Sequence, residues 1–232
     1  MDFEALPSNL ERVRDEITRI QDREGVRGDV LIVAVTKGHP AAAITAASAA
    51  GLNAVGENRV QEALGKQAAV GALSVDWHLI GHVQTNKAKY VPGRFAMLHS
   101  LDSVRLADAL QNALERRGGE GESLPVLVQV NAAREAQKSG CDPDEVVELA
   151  NHVDGLSRLH LRGLMTMAPF TEDETVQREV FASVRKLREE LASGGLEVPE
   201  LSMGMSGDYP AAIAEGATIL RLGTVLFGER PK

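Results

Sequence analysis

The chain has 232 residues, 44% of them hydrophobic, enough for a substantial core in one large domain or two small ones. A formal charge of -8, a pI near 5.3 and 3% aromatic content argue against the basic grooves and stacking platforms of most nucleic-acid binders, although backbone amides at helix starts still allow a local anion site. One cysteine, Cys141, allows no internal disulfide and suits a reducing cytoplasm, and neither a secretory leader nor an apolar run of membrane-spanning length is legible.

Residues 3–24 set Leu10, Val13, Ile17 and Ile20 at three- and four-residue spacing, which predicts an amphipathic helix ahead of everything else. An alternation follows: a strand over 30–36, an alanine-rich helix over 40–50, a strand over 53–56, a helix over 58–70 and a strand over 77–81. A short helix near 84–91 leads to a strand over 95–100 and a helix over 102–117, and "RRGGEGES" then supplies glycine and charge for an exposed turn. The strand "PVLVQVN", a helix over 142–153, the strand "LHLRGLM", a helix over 172–193, a strand near 199–203, a helix over 208–215 and the strand "TILRLG" complete the pattern.

Eight strands, nearly all followed by helix, predict a closed (β/α)8 TIM barrel as a single domain, with the N-terminal helix in 1–27 and the barrel over 28–230. A doubly wound open sheet is the competing architecture, but its G-x-G-x-x-G fingerprint is missing after the first strand. In a barrel the chemistry sits at the carboxyl ends of the strands, and phosphate commonly binds after strands seven and eight. Those ends carry Lys37, Glu57, Asn58, His82, Ser100, Asp102, Asn131, Thr166, Ser206 and Arg221. Asn58, Asp102 and Ser206 stand where helix caps are expected. "MSGD" offers Ser206 and free amides to an oxyanion, and "RLGTV" adds Gly223 and Thr224. Lys37 closes a buried strand in "VAVTKG", where a lysine either carries its charge out to water or, desolvated, becomes a nucleophilic amine. His78 and His82 are four apart, but across a strand end and without an "HExxH" context, so no metal is expected.

The segments "VAVTKGHP", "VGENRVQE", "WHLIGHVQTNKAK", "QKSG", "LRGLMTM", "LSMGMSGDYPAAIAEGAT" and "LRLGTVLFGER", in that order over residues 28–230, resemble the pyridoxal phosphate homeostasis protein family, whose barrel resembles the N-terminal domain of alanine racemase. Arg59 stands where that family often has an aromatic residue, and Val83 and Thr85 where leucine and serine are common. The resemblance implies that Lys37 forms the covalent aldimine with pyridoxal 5'-phosphate, that Ser206, Gly223 and Thr224 bind its phosphate, and that Arg221 faces the pyridine nitrogen. Asn58, Met165 and Met203 are weaker candidates for the ring environment, with packing an equal alternative for the methionines. Lys66, Lys87, Lys89 and Lys186 read as lysines of charged helices, and Lys138 as a loop residue that contacts solutes or solvent.

An arginine opposite the ring nitrogen only donates hydrogen bonds, which leaves that nitrogen unprotonated and the ring a poorer electron sink. Racemisation also needs a second acid/base on the opposite face of the substrate carbon. Alanine racemase takes it from a further C-terminal domain, for which this chain, ending at Lys232, leaves no room, and of its two tyrosines neither Tyr90 nor Tyr209 is an obvious substitute. The reading favoured by the resemblance is therefore a cytoplasmic, monomeric carrier without significant catalysis, buffering the cofactor in vitamin B6 homeostasis and handing it to client apoenzymes. The alternatives are a pyridoxal phosphate-dependent amino-acid racemase using His82, and a cofactor-free aldolase in which Lys37 attacks substrate directly.

Overall fold

Leu6, Leu10, Val13, Ile17 and Ile20 form the buried stripe of helix α1 (Leu6–Glu24), which starts at Pro7 in the first turn and stops at Gly25 in the left-handed conformation. The expected start at residue 3 is displaced because Phe3 instead packs edge-on against Phe227, with ring centroids 5.8 Å apart. The structure is a computed structural model that describes residues 3–118, 122–135, 137 and 139–229. Among these, the expected alternation appears as β1 (Leu31–Val35), α2 (Ala42–Ala49), β2 (Ala54–Glu57), α3 (Val60–Val70), β3 (Asp76–Leu79), a 3-10 helix (Thr85–Tyr90), β4 (Met97–Leu101) and α4 (Val104–Arg117). It continues with β5 (Leu124–Gln129), α5 (Val146–Asp154), β6 (Leu159–Met165), α6 (Glu174–Ser193), β7 (Glu200–Ser202), α7 (Tyr209–Ala214), β8 (Ile219–Leu222) and the short α8 (Thr224–Phe227).

The strands close in sequence order into one parallel barrel, with β1 paired to both β2 and β8. Parallel strands covered by helices are buried on both faces, which is why β1 reads as an unbroken apolar run. A large apolar cluster fills the layer between strands and helices, and a small one, Val33, Ala54, Leu127, Met165 and Ile219, lies inside the barrel. No helix among the described residues is long and apolar enough to cross a membrane.

Two register shifts decide which side chains enter the barrel. On β6, Leu159 and Leu161 belong to the outer layer; the pairing with β5 then slips between Leu161 and Gly163, and Leu164 takes the outer side while Met165 turns inward. Gly163 sits at that slip with φ +149°, and a Cβ there would lie 1.9 Å from the Glu200 carbonyl oxygen on β7. A comparable slip between β4 and β5 lies between Leu98 and Leu101 and brackets His99.

Three of the expected caps are displaced. The N-cap of α3 is Arg59 rather than Asn58, that of α4 is Ser103 rather than Asp102, with its hydroxyl accepting from Leu106 N–H at 3.3 Å, and that of α7 is Asp208 rather than Ser206. Capping depends on backbone angles at one residue, so candidates one or two positions apart are not separable by residue type.

Gly163→Ala is expected to cost on the order of 3 kcal/mol or more in urea unfolding, from left-half strain plus a backbone overlap that no flexible side chain can relieve; a loss under about 1 kcal/mol would contradict this packing. Cys141 is buried beside β5, and burial, helped by Glu145, pushes its thiol up to about 12. It should therefore resist alkylation near neutral pH in the folded chain and react once urea unfolds it; rapid native labelling would count against the placement.

Candidate functional site

Lys37 leaves the carboxyl end of β1 in a backbone held on both sides. Thr36 donates its hydroxyl to Glu57 Oε1 at 2.6 Å, its carbonyl accepts from Lys66 Nζ at 2.8 Å, and Gly38 N–H donates to Glu62 Oε1 at 2.9 Å. Lys66 Nζ also reaches Glu57 at 2.7 Å and Glu62 at 2.8 Å, so its three N–H donors meet three acceptors. Lys66 is thus not the solvated helix lysine that its charged neighbours suggest: it is 8% exposed, and Glu57 is fully buried. Burial raises the Glu57 carboxyl against the opposing hydrogen bonds from Lys66 and Thr36. For Glu62 burial acts in the same direction, but the Lys66 ammonium and the Gly38 amide outweigh it and the carboxyl is lowered.

Val33 and Val35 both crowd the Cβ position of Gly56 inside the barrel, at 2.9 and 3.6 Å, and Lys37 follows two residues on, in the turn just past the end of β1. The neighbouring strand is β8, whose Arg221 pairs with Val33. Past the end of β8, a Cβ on Gly223 would lie 3.4 Å from the Val35 carbonyl oxygen, so the chain after Arg221 runs directly beside the segment leading to Lys37. Behind that seam His39 stacks on Phe227 of α8 with centroids 5.3 Å apart, and Phe3 closes the trio. The lysine loop and the loop after β8 are therefore packed as one unit.

Ser206 joins them. Its hydroxyl oxygen accepts from Gly223 N–H at 3.3 Å and from Val225 N–H at 3.2 Å. Two amides converging on one oxygen, with Thr224 exposed between them, form a donor set suited to a phosphate oxygen. Arg221 lies deeper. Its Nη1 donates to the Ser202 carbonyl at 2.7 Å and to Ser202 Oγ at 2.8 Å, and its Nη2 donates to the Thr166 carbonyl at 2.8 Å. Burial lowers its pKa to about 10, against the favourable charge of Asp208, so the guanidinium remains a cation at neutral pH. A buried cation whose hydrogen bonds go to two backbone carbonyls and a serine hydroxyl, beside converging amides, suits an anionic or acceptor-rich ligand.

The interior holds a second polar feature that composition does not announce. Ser202 Oγ is 2.8 Å from His99 Nδ1, and His99 Nε2 is 2.8 Å from His78 Nδ1. Burial holds both imidazoles neutral: His78 is lowered to about 4, and His99, also facing Arg221 and His78, well below the usual histidine range. The inward parity of His99 beside Met97 is the sequence signal for this chain, but the strand slip after Leu98 makes it hard to use.

The remaining strand-end candidates divide clearly. Ser100 donates to the Gly81 carbonyl, Thr166 to the Val130 carbonyl, and Asn131 closes its own loop through Glu135. Asn58 is half-buried at the mouth, and its backbone passes so near Gly81 that a Cβ there would sit 2.4 Å from the Asn58 oxygen. Met165 lines the barrel interior, whereas Met203 is buried in the layer between strands and helices, so its packing does not support a place beside a ring. His82 bonds Asp102 at 2.9 Å and lines a groove with Thr85, Asn86, Ser103 and Arg105 that includes neither Lys37 nor Arg221. His78 and His82 thus have different partners, and no group of three or more metal-ligating side chains gathers among the described residues. Tyr209 donates its hydroxyl to Glu16 of α1, and Tyr90 lies under Lys87 and Lys89. Lys138 lies outside the described residues.

Known proteins share this fold and much of this sequence. Residues 8–231 match the family described as alanine racemase, N-terminal domain. The pyridoxal phosphate homeostasis protein of Pseudomonas aeruginosa is 46% identical over 199 residues, covering 86% of this chain and 84% of that protein. The protein of the same name from Aquifex aeolicus is 41% identical over 95% of this chain and 96% of its own length. The structure of PipY from Synechococcus elongatus with PLP bound superposes with a TM-score of 0.83 at 37% identity, covering 96% of this chain and 100% of that one. An alanine racemase from Clostridium difficile, at 16% identity and a TM-score of 0.73 over 58% of its length, shares the fold. The chain therefore belongs to the alanine racemase N-terminal domain family and, within it, to the pyridoxal phosphate homeostasis proteins.

Proposed function

We propose that this chain binds pyridoxal 5'-phosphate and acts as an intracellular carrier in vitamin B6 homeostasis, without significant catalysis. The observation that carries the reading is the meeting, at one end of the barrel, of the Gly223 and Val225 amides on Ser206 with buried Arg221 on the strand beside Lys37. Bound pyridoxal phosphate supplies an electrophilic aldehyde, which free in a cell reacts with amines indiscriminately. Lys37 would hold that carbon covalently and reversibly. Ser206, Gly223 and Thr224 receive the phosphate, Arg221 donates to the ring nitrogen, and Asn58 and Met165 border the ring. The segment carrying Lys37 is kept in place by Glu57, Lys66 and Glu62. Client apoenzymes, a cytoplasmic setting and a monomeric state complete the proposal.

The engagement of the tyrosines and of His82 elsewhere supports a carrier over a racemase. Among the described residues, Tyr209 is engaged by α1, Tyr90 by surface lysines, and His82 faces its own groove with Asp102. Arg221 adds to this, because it keeps a ring nitrogen in the acceptor role and so leaves little electron withdrawal for a carbanion.

Borohydride reduction of the purified protein with pyridoxal phosphate, followed by peptide mapping, should mark Lys37, and Lys37→Ala should abolish the mark. The same preparation should exchange the α-proton of amino acids far more slowly than about 1 per second; exchange at that rate or faster would replace the carrier reading with the racemase one. Removing the ammonium in Lys66→Met leaves two carboxylates facing each other under the Thr36–Gly38 turn. The expected cost is about 3 kcal/mol of stability, with faster hydrogen exchange at Gly38 and slower covalent capture at Lys37. Unchanged capture with unchanged exchange would show that the triad does not position the lysine.

A further inference from the structure

We propose that His99 and Ser202, backed by His78, are positioning residues for Arg221: they form a hydrogen-bond chain of fixed polarity across the barrel that holds the guanidinium in its ring-facing pose. The proposal rests on the cofactor reading above and deepens it. The four side chains connect β8 and β7 on one wall to β4 and β3 on the other, with Arg221 Nη1 to Ser202 Oγ, Ser202 Oγ to His99 Nδ1, and His99 Nε2 to His78 Nδ1 each at 2.8 Å.

The polarity follows from donor counting. Arginine has no acceptor, so Ser202 Oγ must accept from Nη1. The serine hydroxyl hydrogen then needs an acceptor of its own in a fully buried position, and His99 Nδ1 lies at hydrogen-bond distance. With Nδ1 accepting, neutral His99 carries its proton on Nε2 and donates to His78 Nδ1. His78 in turn carries its proton on Nε2, on the side of the chain where it shares a cavity wall with Asp76 at the amino ends of the strands. The reverse polarity would leave the Ser202 hydrogen unmatched inside the barrel.

The consequence concerns Arg221. The Ser202 and Thr166 bonds occupy Nη1 and part of Nη2, and do not use Nε–H or the second Nη2 hydrogen. Holding Ser202 from behind therefore fixes which edge of the guanidinium is presented to a ligand. A residue that merely filled space at position 99 would not set this.

The test uses the full-length protein. Nitrogen-15 NMR of the side chains should find both His99 and His78 as neutral Nε2–H tautomers. Pyridoxal phosphate affinity should fall about tenfold in His99→Phe, which removes donor and acceptor, and return to within about twofold of the parent in His99→Gln, which keeps one of each. Borohydride capture at Lys37 should persist in both variants at saturating cofactor. An Nδ1–H tautomer on either histidine, or equal affinity of the Phe and Gln variants, would overturn the proposal. If the Phe variant does not fold, the tautomers of the parent protein decide the matter alone. Failure of capture at Lys37 in the parent would instead sink the cofactor reading, while the tautomers still judged the chain.

Discussion

One buried cation organises the polar interior: Arg221 sits inside a closed barrel and donates to two backbone carbonyls and a serine hydroxyl. Burying a charge this way is costly unless the surrounding dipoles are firmly held. Much of the polar interior serves that end: Ser202 lies on β7, Thr166 just past the end of neighbouring β6, and His99 and His78 reach across from the opposite wall. An arginine so constrained is a fixed donor, and it gives the mouth of the barrel its chemical character.

The second constraint acts on the lysine. Lys37 follows the end of β1, the strand next to that of Arg221, and its backbone is held by a Glu–Lys–Glu cluster on the outer side of β1 and β2. The aromatic trio of Phe3, His39 and Phe227 then packs the lysine loop against the loop that collects amides on Ser206. On the proposed reading, covalent anchor, anion cradle and ring partner belong to neighbouring pieces of chain, and such an arrangement suits retention of a reactive aldehyde better than turnover, which needs a second proton donor on the far face of the substrate carbon.

Much of this was legible in the residues themselves. Parallel strands buried on both faces read as apolar runs, so all eight are visible in the sequence, with ends differing by a residue or two. The glycine and serine pattern after the last two strands pointed to an anion cradle, and Ser206, Gly223 and Arg221 do lie together. What stayed hidden depends on tertiary context. Lys66 looks like any helix lysine until α3 is laid over Glu57 and the Thr36 carbonyl. Met203 and Met165 look equivalent until strand parity sends them to different layers. His99 could be assigned to the interior only with the register of β4 in hand, and the four residues of α8 are too few for any periodicity to register.

On the proposed reading Arg221 donates to the cofactor's ring nitrogen and so keeps it unprotonated, which favours retention over turnover. The most direct measurement is the nitrogen-15 chemical shift of ring-labelled pyridoxal phosphate bound to the purified protein. A hydrogen-bonded but unprotonated pyridine nitrogen is expected across the neutral pH range. A protonated pyridinium nitrogen in the bound state would contradict it.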